Sequence, residues 1–138
     1  MPSELRCHRG IGHLVTGIAL VADDNFSARY DLDRQKGVFS RPTHKLAGQS
    51  YVDRILVLKT SKGGVATAWM LRDMIERGIA PRALVFNSVN PILAQGAAFG
   101  ELTMVDRFCD GDVTTLIRTG DELRINPQEG LVTILNRE

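Results

Sequence analysis

The sequence predicts an α/β domain of mixed β/β/α type, and three observations carry that prediction. Two short apolar runs, residues 54–59 (RILVLK) and 82–86 (RALVF), lack polar alternation, which is the pattern of strands buried on both faces. Between them the small-residue loop Thr60-Ser61-Lys62-Gly63-Gly64 leads into a stretch with helical spacing. The C-terminal region reads as two strands joined by a turn. The strand–glycine loop–helix unit occurs clearly once, so a complete doubly wound nucleotide fold is not predicted.

In chain order, one domain spanning residues 1–138 is expected, with a loosely ordered start at 1–12. Residues 13–22 (HLVTGIALVA) are aliphatic and β-branched and predict a strand. Residues 23–37 are polar and turn-rich, a long loop with a short strand near 28–31; long loops in compact domains are often functional. Val38-Phe39-Ser40 predicts a short strand before Pro42, and 54–59 the buried central one. Over 65–77, Val65, Ala68, Trp69, Leu71, Met74 and Ile75 fall mostly on one helical face, away from Arg72, Asp73, Glu76 and Arg77. Gly78 suits the position just past that helix, where a positive φ is needed. After the strand at 82–86, residues 87–90 form a loop in which Ser88 and Asn90 are candidate caps. Pro91 fits a first helical turn and 92–99 a short helix. A strand at 102–105, a turn at Asp110-Gly111-Asp112 and a hairpin (122–125 and 131–135 around a turn at 126–130) complete the chain.

Composition removes several function classes. The chain has 138 residues, 43% of them hydrophobic, which supplies one sizeable core. Seventeen Lys+Arg against sixteen Asp+Glu give a net charge of +1, with no electrostatic case for nucleic acid. No apolar run approaches the roughly 20 residues of a membrane span. Residues 1–9 carry Glu4, Arg6 and Arg9 and no apolar stretch of signal-peptide type, so a cytoplasmic protein is expected. Cys7 and Cys109 have no Cys-x-x-Cys spacing, which excludes a Cys-rich zinc site or a self-contained iron–sulfur cluster. Cytosolic thiols stay reduced, so both are expected as ordinary thiols rather than a disulfide.

The loop Thr60 to Gly64 is the strongest chemical candidate. A glycine-rich turn between a buried strand and a helix start exposes backbone N–H groups to an anion. Lys62 adds a cation and Ser61 a hydroxyl. It is not a P-loop: where Gly-Lys-Thr is required the chain has Ala66-Thr67-Ala68. A plain tight turn needing two glycines remains the alternative. His8, His13 and His44 lack ligand spacing; His44, in a polar loop, is either an acid–base or positioning group or simply exposed. Ser27 and Arg29 lie in the long loop, Arg29 as a candidate carboxylate clamp or a solvated surface arginine. Asp110 and Asp112 are too few carboxylates for a calcium loop.

Several segments, taken in order, resemble the aconitase X swivelling domain from about residue 17 to residue 134. They are Gly17-Ile18-Ala19-Leu20-Val21, the Ser-containing loop from Ser27 to Gly37, and His44-Lys45-Leu46-Ala47-Gly48-Gln49-Ser50. The strand and basic-Gly loop from Ile55 to Gly64, then Asn90-Pro91-Ile92-Leu93-Ala94-Gln95-Gly96, and Thr119-Gly120-Asp121 follow. The resemblance implies a swivelling β/β/α domain similar to the mobile domain of aconitase. It implies the small subunit of a hydro-lyase, inactive without an aconitase X large subunit that carries the iron–sulfur cluster; no cofactor is expected in this chain. Such enzymes take a proton α to a carboxylate and expel a β-hydroxyl from a small hydroxy acid. The resemblance implies a hydroxyl base and anion-binding groups from the glycine–serine loop, and with the residue chemistry above the expected substrate contacts are Ser27, Arg29, His44, Lys62, Gly63, Gly64 and Thr67. Archaeal members, which resemble mevalonate 5-phosphate dehydratases, carry a serine run after the basic-Gly pair. Here Lys62-Gly63 is followed by Gly64, Val65 and Ala66, and the nearest hydroxyls are Ser61 and Thr67. The family's base therefore does not carry over directly: Ser61, shifted in register, is the candidate in this chain, and a group of the partner subunit is the alternative. The departure points toward the branch that dehydrates cis-3-hydroxy-L-proline, with mevalonate 5-phosphate as the alternative substrate and a non-catalytic anion-binding or regulatory module as the alternative role.

Overall fold

The computed structural model describes residues 3–26, 32–33, 35–60, 65–89, 94–95, 97–98 and 102–137, with backbone alone for Ser3 and residues 65–68. Among these residues the strands are β1 (Ser3–Arg6), β2 (Val15–Val21), β3 (Leu32–Asp33), β4 (Val38–Phe39), β5 (Ile55–Thr60), β6 (Ala83–Ser88), β7 (Thr103–Val105), β8 (Glu122–Asn126) and β9 (Leu131–Asn136). The helices with described bounds are α1 (Val65–Glu76) and α2 (Val113–Leu116).

A seven-stranded sheet runs in the order β1-β9-β8-β2-β5-β6-β7. Its parallel part is β2, β5, β6 and β7; its antiparallel part is β1, β9 and β8. β2 joins the two by changing partner midway. Residues from Val15 to Ile18 pair with β8, and Ala19 to Val21 pair with β5. The centre of the sheet is β5, whose Ile55, Leu56, Val57 and Leu58 are each 0% exposed. Alternation along the strand divides them between two cores. Leu56 and Leu58 pack with Leu20, Leu84, Phe86 and with Leu71 and Met74 of α1. Ile55 and Val57 pack with Ala83, Val85, the α2 side and the hairpin residues Leu123, Ile125, Val132 and Ile134. The layers are thus β, β and α. Each fully buried aliphatic side chain contributes about 2 kcal/mol.

The main elements fall where the residue pattern places them, to within two residues at each end. Three features differ. Within the described part of the first 12 residues, β1 pairs antiparallel with β9, and Ile11 exchanges backbone hydrogen bonds of 2.9 and 3.0 Å with Met104 of β7. This segment closes the sheet between its two edges, a long-range role invisible to local pattern. Trp69 is 62% exposed rather than on the buried face of α1, with the Arg72 guanidinium 5.7 Å from its ring. The Asp110-Gly111-Asp112 turn also opens α2: Asp112 is its cap and accepts the Thr114 N–H at 3.0 Å. Ala94, Gln95, Ala97 and Ala98 are helical, within the expected short helix. The expected strand near 28–31 lies outside the described residues, whereas Leu32–Asp33 pairs with Val38–Phe39. Gly78 has φ +72° just past α1, as expected of a helix-ending glycine.

Candidate functional site

The parallel strands all point their C-terminal ends to one edge, which is where open α/β sheets hold ligands. β2 continues past its last paired residue alongside β5. The Ala22 N–H donates to the Val57 carbonyl, Lys59 N–H to Asp24, and Phe26 N–H to Thr60, at 3.0, 2.8 and 2.9 Å. The Thr60 hydroxyl donates to the Asn25 side-chain oxygen at 2.6 Å. Thr60 also pairs in register with Ser88 of β6. The last described residues before the predicted Ser27–Arg29, Ser61–Gly64 and Asn90–Pro91 segments are therefore Phe26, Thr60 and Val89, from three neighbouring strands.

Ser27, Arg29, Ser61, Lys62, Gly63 and Gly64 themselves lie outside the described residues, and Thr67 is described in backbone only, in the first turn of α1. His44 is described, and it is buried, 3% exposed, rather than standing in an open polar loop. Its Nδ1 accepts the Leu46 N–H at 3.0 Å, which leaves Nε2 to donate to the Asn25 carbonyl at 2.8 Å. The ring stacks on Phe39 at 4.6 Å between centroids. His44 thus holds the strand-end residue Asn25, and both of its nitrogens are occupied in doing so.

Asp24 ties the same two segments from the other side. It accepts the N–H groups of Asn25 and Lys45 at 2.8 and 3.2 Å. Burial raises its pKa, but these two N–H groups, with His44 and Arg41 nearby, hold it below the usual carboxylate value. Asp23 takes the Lys59 ammonium at 2.8 Å and faces Lys45 at 3.7 Å, and its hydrogen bond raises the Lys59 pKa further.

A cleft of about 430 Å³ opens on the same edge, lined by Lys59, Asn87, Arg107, Phe108, Gly111 and Asp112. Asn87 and Asp112 brace one wall: Asn87 Nδ2 donates to Asp112 Oδ1 and Asn87 Oδ1 accepts the Val113 N–H, both at 2.8 Å. The Asn87 and Thr114 hydrogen bonds hold the Asp112 carboxyl below its ordinary value. Arg107 sits at φ +60°, a left-handed conformation that costs a non-glycine residue about 1 kcal/mol. Sequence reasoning missed Lys59, Asn87 and Arg107. A usable signal was present: Lys59 and Asn87 are the first polar residues after the buried runs of β5 and β6, and Arg107 follows just beyond β7.

Thr119-Gly120-Asp121 acts as a clasp on the C-terminal half of β2. The Thr119 hydroxyl accepts the Val21 N–H at 2.9 Å, and Gly120, at φ +96°, donates to the Ala19 carbonyl at 3.0 Å. Asp121, 1% exposed, accepts the Arg118 N–H at 2.8 Å and Arg137 Nη2 at 2.8 Å. Among the described residues no group of three or more His, Cys, Asp or Glu side chains could hold a metal ion. Burial, with Asp106 and Cys109 adding, pushes the Cys7 thiol up to about 11, and the two cysteines of the sequence are fewer than the ligands a cluster takes. The described residues therefore do not fit an iron–sulfur cluster. No described helix is long and apolar enough to cross a membrane.

A β/β/α domain with its polar loops gathered at one sheet edge is a swivelling domain of the aconitase kind. The family model for the aconitase X swivel domain matches residues 4–134, and the chain belongs to that family. It is the small-subunit part of an aconitase X-type dehydratase, a hydro-lyase. The phosphomevalonate dehydratase small subunit of Methanothrix thermoacetophila is 33% identical over 104 residues, covering 75% of this chain and 76% of that one. That of Pyrococcus horikoshii is 30% identical over 128 residues, 92% of each chain, and that of Methanococcoides burtonii 26% over 134 residues, 97% of each. The crystal structure of Thermococcus kodakaraensis aconitase X in its holo-form shares the fold, with a TM-score of 0.89 over 97% of this chain and 99% of that one at 24% identity. The solution NMR structure of a UPF0107 protein matches with a TM-score of 0.85 at 27% identity, over 97% and 100%. These relatives give no support to cis-3-hydroxy-L-proline, the substrate favoured from sequence, and they favour the alternative.

Proposed function

We propose that this chain is one half of a dehydratase site for a phosphorylated hydroxy acid, 5-phosphomevalonate, completed by a large subunit that carries the iron–sulfur cluster. The observation that carries the reading is the hydrogen bond from the Phe26 N–H to the Thr60 carbonyl at 2.9 Å. It sets side by side the points from which the Ser27–Arg29 and Ser61–Gly64 segments leave the sheet. The relatives' shared name supplies the substrate.

In this reading Ser61 takes the α-proton, and Lys62 with the backbone N–H groups at Gly63 and Gly64 holds the charge that builds on the carboxylate. Preorganised donors are efficient there because they need no reorganisation during the reaction. Ser27, Arg29 and Thr67 contribute substrate contacts, and His44 acts by holding Asn25 rather than by touching substrate. The large subunit handles the leaving hydroxyl. The missing serine after Gly63 no longer decides the substrate, since Ser61 precedes the same lysine.

The test is a substrate comparison on the complex of this chain with its large subunit. Water loss from 5-phosphomevalonate, with little or none from cis-3-hydroxy-L-proline, is the expected outcome; the reverse preference would overturn the substrate. Lys62→Ala should weaken substrate binding by about 1.5–3 kcal/mol, the value of a charged hydrogen bond. An unchanged KM and kcat in that variant would reduce the loop to a turn.

A further inference from the structure

We propose that the cleft between Lys59 and Arg107 seats the phosphate monoester of the substrate, with Arg107 as its specificity-determining residue. The inference rests on the phosphorylated-substrate reading above and assigns that substrate's second anion to a place of its own.

The argument begins with strand alternation. Ile55 and Val57 face the α2 side of the sheet, as do Ala83 and Val85, so Lys59 and Asn87 extend these same two rows past the core. Arg107 lies two residues beyond Val105 of the neighbouring strand, and its N–H donates to the Asn87 carbonyl at 3.0 Å. Three adjacent parallel strands thus end in polar residues around one cleft of about 430 Å³, within the range of small-ligand sites.

The wall groups are already engaged. Both ends of the Asn87 amide are used on Asp112 and Val113. Asp112 Oδ1 accepts from Asn87, from the Thr114 N–H and from the Thr114 hydroxyl. The remaining donor capacity belongs to the two cations. Lys59 gives one bond to Asp23. Arg107 is 60% exposed in its side chain and makes, among the described residues, one ion pair, from Nε to Asp106 at 3.7 Å. Asp106 itself accepts the Val89 N–H at 3.2 Å. Asp23, Asp106 and Asp112 offset part of the field of the two cations, so recognition here rests on the geometry of the guanidinium and ammonium donors rather than on net charge. A phosphate monoester carries close to two charges and three acceptor oxygens, and the guanidinium fork matches it. The left-handed φ of Arg107 fits a residue whose position is held for binding.

The position also suits a two-ended substrate. Lys59 is two residues before Ser61, on the opposite face of β5 from Leu58. The phosphate end then lies on the α2 face of the sheet, at the end of β5.

The experiment uses the assembled two-subunit enzyme and inorganic phosphate as a competing probe. Arg107→Gln should raise KM for 5-phosphomevalonate by about 10- to 100-fold with kcat within about twofold, and raise the inhibition constant of inorganic phosphate by a similar factor. Arg107→Lys should recover part of the loss. Lys59→Gln should shift both constants in the same direction, and thermal unfolding checks that each variant folds. Unchanged KM and unchanged phosphate inhibition in Arg107→Gln overturn the assignment. So does a variant whose only defect is weaker subunit association, which would make the cleft a docking point for a carboxylate of the large subunit. If the parent complex rejects the phosphorylated substrate, the functional reading fails by itself. Phosphate binding followed by ³¹P NMR then decides the cleft: loss in Arg107→Gln retains it as an anion site, and no change removes it.

Discussion

His44 shows how a single side chain can order a site without touching substrate. Its ring accepts from Leu46 and donates to Asn25, and Asn25 in turn accepts the Thr60 hydroxyl. Replacing it by Phe keeps the stacking on Phe39 and strips both hydrogen bonds. His44→Phe should lower stability by about 2–3 kcal/mol, measured by denaturant unfolding, because two buried backbone groups lose their partners. Asp121 is the second residue with a defined cost. Burial raises its pKa, but the Arg137 hydrogen bond, the Arg118 N–H and the charges of both arginines together lower it below 3.8. A carboxyl lowered on folding stabilises the fold above its unfolded pKa and loses that contribution as pH falls through the folded value. Unfolding free energy should therefore be steady above about pH 5 and fall below pH 4, and Asp121→Ala should remove part of that slope.

At the scale of elements, the buried runs were legible because they obey a local rule. RILVLK and RALVF become β5 and β6, and the helix between them begins at Val65 and ends before Gly78. β1 was not legible: Ser3–Arg6 has a single buried apolar residue, Leu5, among charges, and exists as a strand through its pairing with β9. α2 escaped for a related reason. A helix of four residues has no periodicity to read, and it forms on its Asp112 cap and on Val113 packing into the second core. Asp112→Ala should cost about 1–2 kcal/mol, the value of a lost cap, and should also unbrace Asn87. A Tm unchanged in that variant would contradict the structural role given to the cap. The site was legible in part. The loop after Thr60 announces itself by its glycines, whereas the Lys59–Arg107 cleft is assembled from residues 48 apart in the chain and becomes visible only when β5, β6 and β7 lie side by side.

For the whole molecule, the fold gathers its polar strand ends at one edge and braces that edge with structural contacts. The Thr119-Gly120-Asp121 clasp fixes β2 where it changes partner, so that the residues after Val21 run alongside β5. Gly64→Val in the assembled enzyme should lower turnover strongly while the subunit still folds and docks, since a Cβ hinders close approach of the backbone to an anion. The central claim is that the site is shared between two chains. The most direct test is to titrate a fixed amount of the large subunit with this chain and follow water loss from 5-phosphomevalonate. The account predicts no turnover from either chain alone and a rise that saturates at a fixed stoichiometry; full turnover by the large subunit without this chain would contradict it.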